Sequence, residues 1–163
     1  MPEIFAKPCV SAIIEKTVDG ESFILVQTRQ KQGGGETNGK LEIPAGKIRE
    51  YEDIFAALKR EVKEETGLTV TKIHGEESAV STQTGGVTTR SFFPFCTTQN
   101  LSGAYSILLH TFLCEAKGTP LPSTDETTDI HWIRLDTLKK IVEETPEKIF
   151  FMHINALKKY LNQ

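Results

Sequence analysis

Gly46-Lys47-Ile48-Arg49-Glu50-Tyr51-Glu52-Asp53-Ile54-Phe55-Ala56-Ala57-Leu58-Lys59-Arg60-Glu61-Val62-Lys63-Glu64-Glu65-Thr66-Gly67-Leu68 is the stretch whose periodicity decides the architecture. Ile54, Phe55, Leu58 and Val62 recur at spacings of three and four, and Gly67 stands just past them, so the spacing predicts a helix over 51–66 stopped by glycine. At roughly 100° per residue, Glu61 and Glu65 lie about 40° apart, and Glu64 lies about 60° to the other side of Glu61. Three carboxylates therefore crowd one arc that borders the apolar stripe. Like charges at these spacings repel by roughly a few tenths of a kcal/mol each, and by more where water is excluded. The arc calls for positive charge. Hard divalent cations, which favour carboxylate oxygens, would supply it. The plainer reading is a solvated acidic face partly neutralised by Lys59, Arg60 and Lys63.

Outward from the helix, Cys9–Ile14 and Phe23–Gln27 read as two strands joined by an Asp19-Gly20 turn. Gln30–Lys40, with Gly33-Gly34-Gly35 and Asn38-Gly39, has no apolar period and reads as loop; no Lys-Ser/Thr pair follows its glycines, so it is not a Walker-type phosphate loop. Leu68–Ile73, Arg90–Phe95, Tyr105–Cys114 and Ile130–Ile133 read as strands, and 117–128 as loop. Leu135–Glu143 and Phe150–Leu161 read as helices parted by Thr145-Pro146. The order implies an α+β fold with an antiparallel or mixed sheet, in a single domain over 1–163.

Composition narrows the function classes. The chain has 163 residues, 38% of them hydrophobic, enough to bury a core without disulfides or a structural metal. No apolar run approaches the roughly 20 residues of a membrane span, and no signal or transit pattern opens the chain, so the expected location is the cytoplasm. Nineteen basic against 22 acidic residues offer a nucleic-acid duplex no general attraction. Cys9, Cys96 and Cys114 are too scattered for a disulfide framework or a thiolate zinc site, and His74, His110, His131 and His153 form no histidine metal pair. No serine lies in a G-x-S-x-G elbow.

Gly46, Glu52, Arg60, Glu61, Val62, Glu64, Glu65, Gly67 and Leu68 match the pattern G-x5-E-x7-R-E-U-x-E-E-x-G-U, with U aliphatic, at every fixed position. On this pattern the chain resembles the Nudix hydrolase family, which cleaves nucleoside diphosphates linked to another moiety. The resemblance implies an α/β/α sandwich with a mixed β-sheet between helices. It further implies Mg²⁺ or Mn²⁺ held by Glu61, Glu64 and Glu65 with a backbone carbonyl of Gly46 or Ala45. Arg60 would orient glutamates, Glu52 would pair structurally, and Gly46 and Gly67 would allow the loop–helix–loop path.

Outside the box, Leu41-Glu42-Ile43-Pro44-Ala45-Gly46 looks like the entry of members that act on ADP-ribose and related nucleotide sugars. Gln83 and Thr84 stand where ADP-ribose pyrophosphatases typically carry a proline. Arg29 and Glu42 are the candidates for substrate binding. Glu126, with Asp125 second, is similar to the late-loop glutamate that serves some relatives as general base or extra metal ligand. Phe92, Phe93 and Phe95 read as core or pocket wall; Tyr105, Trp132, Phe150 and Phe151 read as packing or as a base-stacking surface. Ile149–Met152 suits either a core or a homodimer interface. The expected function is metal-dependent hydrolysis of a nucleotide-sugar diphosphate such as ADP-ribose. The alternatives are a hydrolase of ordinary or oxidised (d)NTPs that releases pyrophosphate, and a non-catalytic nucleotide sensor, for whose output domain 163 residues leave no room.

Overall fold

The computed structural model describes residues 1–163. β1 (Lys7–Val18) and β2 (Glu21–Arg29) form the first hairpin, turned by Asp19 and Gly20 at φ 50° and 80°, the geometry of a tight primed turn. Two short strands follow, β3 (Leu41–Glu42) on β2 and β4 (Ala45–Lys47) on β1. Then come α1 (Ile54–Thr66), β5 (Thr69–Ile73), β6 (Val80–Thr84), β7 (Val87–Ser91) and β8 (Cys96–Gln99). β9 (Ile107–Lys117), β10 (Thr127–Arg134), α2 (Leu135–Glu144) and α3 (Phe151–Leu161) complete the chain.

The main sheet runs β10-β2-β1-β9-β5, with β3, β4 and β8 paired at its flanks. β1 and β9 are parallel and the other pairs antiparallel, so the sheet is mixed. Side chains alternate across β1. Val10, Ala12 and Ile14 face Phe55, Leu58 and Val62 of α1, while Ile13 packs with Ile24, Val26, Leu138, Val142, Ala156 and Leu157 on the opposite face. The result is the α/β/α sandwich. Burying an aliphatic or aromatic side chain contributes roughly 1.5–3 kcal/mol, so packing onto the sheet, more than helix propensity, holds α1 at its station.

Several elements depart from their expected bounds. α1 starts at Ile54 and not Tyr51, because Asp53 caps it, its Oδ1 accepting from the Phe55 and Ala56 amides at 3.1 Å. Tyr51 lies outside the helix at φ 58°. Of the strand expected over 90–95, only Arg90 and Ser91 are strand, at the end of β7; Pro94 cannot donate to a ladder, and β8 starts beyond the span at Cys96. β6 and β7 form a separate two-stranded ribbon around Gly85-Gly86, a turn signal the expectation missed. β9 starts at Ile107 and not Tyr105, and β10 extends from Thr127 with a register shift between Thr128 and His131. Of the apolar segment 149–152, Ile149, Phe150 and Met152 are core, so only Phe151 remains for a partner. Phe93 is exposed, whereas Phe92 packs edge-on against Phe55.

α3 buries His153 completely, with no hydrogen-bond partner on either ring nitrogen. Burial, reinforced by the charges of Arg29 and Lys31, holds its pKa down at about 3. The folded chain thus keeps it neutral while the unfolded chain protonates it below about 6.5. Stability contributed by the neutral ring is complete above that value and is lost as the pH falls toward 3, by at most about 1.4 kcal/mol per unit. His153→Leu should flatten the decline in melting temperature between pH 6.5 and 4.5. A slope identical to that of the parent protein would remove this residue from the acid response.

Candidate active site

The glutamate arc is organised by Arg60. Its Nε and Nη2 donate to the two carboxylate oxygens of Glu52 at 2.7 and 2.9 Å, a two-pronged ion pair that holds the Glu52 carboxyl down at about 2. Nη1 donates to Glu61 at 2.6 Å and to Glu64 at 3.1 Å, and Nη2 also reaches the Lys47 carbonyl at 3.1 Å. One guanidinium therefore joins the turn before α1, the end of β4 and two glutamates of the helix. Glu64 remains about half exposed. Gly46 lies directly under Glu61: a Cβ there would overlap the carboxylate, so any larger residue would push Glu61 out of this position. Gly67, at φ 78°, ends the helix in the left-handed conformation.

Glu65 lies on the buried side of the arc, 5% exposed. Its Oε2 accepts from Gln27 Nε2 at 2.9 Å and from the Ala45 amide at 3.0 Å. Its Oε1 accepts from Lys31 Nζ at 3.3 Å. Burial raises its pKa to about 7, against the opposing pull of Lys31. Lys31 also pairs with Glu126 at 2.8 Å. Burial would lower the Lys31 ammonium, but its two carboxylate partners outweigh that and hold it above the ordinary lysine value. The same contact holds the Glu126 carboxyl below the usual range.

Arg29 and Glu42 find each other. Arg29 Nη1 donates to Glu42 at 3.2 Å and its Nε to Thr37 Oγ1 at 3.0 Å, and both residues of the pair are buried. Gln27 Nε2 lies 3.2 Å from Glu42 as well, so Glu65, Gln27, Glu42 and Arg29 form one continuous buried polar run. Asp125 is exposed and joins none of these contacts.

The structure brings Glu52, Arg60, Glu61 and Glu64 into one cluster, with Gly46 against Glu61. It brings Glu65, Ala45 and Glu126 into a second through Lys31. No three acidic, histidine or cysteine side chains converge on a single point. The positive charge that the arc demands is supplied here by Arg60 and Lys31. The donors still suit a hard divalent cation: carboxylate oxygens line one side of a helix, and Gly46, lacking a Cβ, lets its backbone lie against the Glu61 carboxylate. Lys31 and Gln27 were missed by sequence reasoning. Lys31 sits in a stretch without periodicity, and its partners lie 34 and 95 residues away, beyond any local spacing rule. A surface groove of about 590 Å³ lies elsewhere, outside β2 and β3 beside Ile141 and Glu147, and holds none of the candidate residues except by adjacency at Leu41.

A model of the NUDIX domain matches residues 7–152. No curated protein matches the chain in sequence. Among solved structures, the chain is similar to the NUDIX domain of Shewanella oneidensis NrtR complexed with ADP ribose, at 16% identity and TM-score 0.68 over 98% of this chain and 89% of that one. It is similar to a MutT protein from Methanosarcina mazei at 18% identity and TM-score 0.57, over 98% and 96% of the two chains. A C. elegans Ap4A hydrolase shares 15% identity at TM-score 0.54, over 94% of each. At these identities the likeness is one of fold.

Proposed function

The chain belongs to the Nudix family, as a hydrolase of phosphorus-containing anhydrides, and on that premise we propose that it cleaves the diphosphate of a nucleotide sugar such as ADP-ribose. The observation that carries this reading is the unbroken polar run from Glu65 through Gln27 and Glu42 to Arg29. It ties the carboxylate arc to the Arg29 guanidinium, so a single hydrogen-bonded network positions both the glutamates and a cation suited to a diphosphate. The Leu41–Gly46 entry and a fold neighbour solved with ADP ribose point the same way. Residues 1–163 act as one Nudix domain, and the three unpaired cysteines fit a reducing, cytoplasmic setting.

Nudix hydrolases generally need divalent cations, and hard oxygen donors favour Mg²⁺ or Mn²⁺. When bound, such a cation neutralises phosphate charge and lowers the pKa of water. Glu61, Glu64 and Glu65 would hold it with a carbonyl of Gly46 or Ala45. Arg60 aims Glu61 and Glu64 while Glu52 anchors Arg60. The Ala45 amide and Gln27 fix the Glu65 rotamer. Glu126 is ionised at neutral pH and 57% exposed beside Lys31, so it can accept the proton of the attacking water. Arg29, oriented by Glu42, lends positive potential to the diphosphate.

The test is a Mg²⁺-dependent screen of ADP-ribose, other nucleotide sugars, dinucleotides and (d)NTPs including oxidised forms, with products identified by mass spectrometry. AMP plus ribose 5-phosphate from ADP-ribose is the expected result. Inorganic pyrophosphate from a (d)NTP would replace this reading by the triphosphate one. Nucleotide binding without turnover under any metal would leave a sensor. In the same assay Glu126→Gln should slow turnover roughly 100-fold or more and alter its pH profile; an unchanged profile would move the base into the box.

A further inference from the structure

We propose that Lys31 is an exchangeable counter-ion: its ammonium competes with the divalent cation for Glu65 and, once displaced, pairs with the phosphate of the ligand. The proposal rests on the reading above in taking Glu65 as a ligand of that cation. Arg60 serves Glu52, Glu61 and Glu64, and Arg29 serves Glu42. Glu65 and Glu126 have Lys31 as their one ionic partner, at 3.3 and 2.8 Å. The deciding atom is Glu65 Oε1. Oε2 is taken by Gln27 Nε2 and the Ala45 amide at 2.9 and 3.0 Å, whereas Oε1 accepts from Lys31 Nζ alone. Oε1 is therefore the oxygen left for a cation, and the ammonium stands on it. Two positive ions at one oxygen repel strongly where the carboxylate is 5% exposed, so either one disfavours the other.

The loop between β2 and β3 fixes this lysine by its main chain. Asn38 Oδ1 accepts from the Lys31 amide at 2.9 Å, while Asn38 Nδ2 and the Gly34 amide donate to the Lys31 carbonyl at 3.0 and 2.9 Å. A Cβ on Gly34 would displace the Asn38 side chain, so the glycine belongs to the clamp. The Gln30 amide donates to the Glu126 carbonyl at 2.8 Å, which fastens the loop to the segment carrying the second carboxylate. A stretch without periodicity thus has a fixed backbone at Lys31.

With the backbone held, the side chain is the part free to move. Lys31 is 25% exposed and Glu126 57%, and an ion pair this open to water contributes little. The guanidiniums of Arg29 and Arg60 are planar forks, each fixed by two or more partners; an ammonium is a compact charge on a flexible stem. A displaced ammonium stays tethered within a side-chain length of Glu65 Oε1, where a bound cation would bring the phosphate oxygens it neutralises. Cation alone costs Lys31 its partners, and cation with phosphate gives it a new one, so the two ligands favour each other's binding.

The probes are Mn²⁺ alone, followed by electron paramagnetic resonance, and inorganic pyrophosphate at saturating Mg²⁺, followed by calorimetry, both on the full chain. Lys31→Met, which keeps the stem and removes the charge, should bind Mn²⁺ roughly tenfold tighter than the parent protein and pyrophosphate roughly tenfold more weakly. Lys31→Arg, which keeps the charge, should hold Mn²⁺ affinity near the parent value; melting curves verify folding of each variant. Damage to the loop would weaken both probes, so tighter Mn²⁺ binding is a gain that a structural role does not produce. Mn²⁺ affinity unchanged or weakened in Lys31→Met would overturn the competition, and pyrophosphate bound as well as by the parent protein would overturn the transfer to phosphate. Glu65→Gln separates this inference from the reading beneath it. Parent-like Mn²⁺ affinity in that variant withdraws the cation site itself, whereas a loss there with no gain in Lys31→Met overturns the counter-ion alone.

Discussion

Glu65→Gln should fold as the parent protein does and lose turnover by on the order of a hundredfold or more. Groups that merely support a metal ligand cost 10- to 100-fold when changed, and a proposed ligand should cost at least that. The fold survives because glutamine is the same shape and keeps an oxygen for the Ala45 amide, the bond that ties α1 to β4. It also removes a burdensome charge. Glu65 is 5% exposed, and burial lifts its pKa to about 7, above the carboxylate reference. Ionising it in the folded state therefore costs stability as the pH rises from about 4.5 through 7, and the neutral variant is spared that loss. Metal-free Glu65→Gln should melt at or above the temperature of the parent protein at pH 8. Full activity at saturating Mg²⁺ would withdraw Glu65 from the proposed cation site.

Arg60→Ala should damage stability and activity together. Five hydrogen bonds to Glu52, Glu61, Glu64 and the Lys47 carbonyl disappear, and three carboxylates are left to repel one another. Removing one partner of a buried pair costs roughly 3–5 kcal/mol and of an exposed one roughly 0–1. Arg60 is 18% exposed and Glu52 15%, so about 2 kcal/mol is the expected loss. Cation affinity, read by calorimetry, should weaken on the order of 10- to 100-fold as Glu61 and Glu64 lose their orientation. Arg60→Lys should recover little of either, because an ammonium cannot grip Glu52 with two prongs while reaching Glu61. A lysine variant equal to the parent protein would reduce Arg60 to a simple counter-charge.

Much of the carboxylate arc was legible in the sequence because a helix is a local object. Spacings of three and four within 13 residues place Glu61, Glu64 and Glu65 on one side, and Gly67 marks the stop, whatever the rest of the chain does. The start was misread by three residues, since Asp53 competes as a cap with Tyr51 as a first helical residue, and a side-chain hydrogen bond decided it. The β6–β7 ribbon went unread although Gly85-Gly86 marks its turn, because its strands have no buried face to give them the alternation by which strands are recognised.

The sequence by itself determined the box helix, its charged arc and the family whose residues recur there, because these depend on contacts within one turn of backbone. Tertiary structure alone decided that β1 runs parallel to β9, a pairing made about 100 residues apart where no turn sets the register. It alone set Lys31 between Glu65 and Glu126 and tied Arg29 to Glu42. Those contacts join segments remote in sequence, and their energies come from burial and charge that exist only after the sheet and its two helical layers have closed.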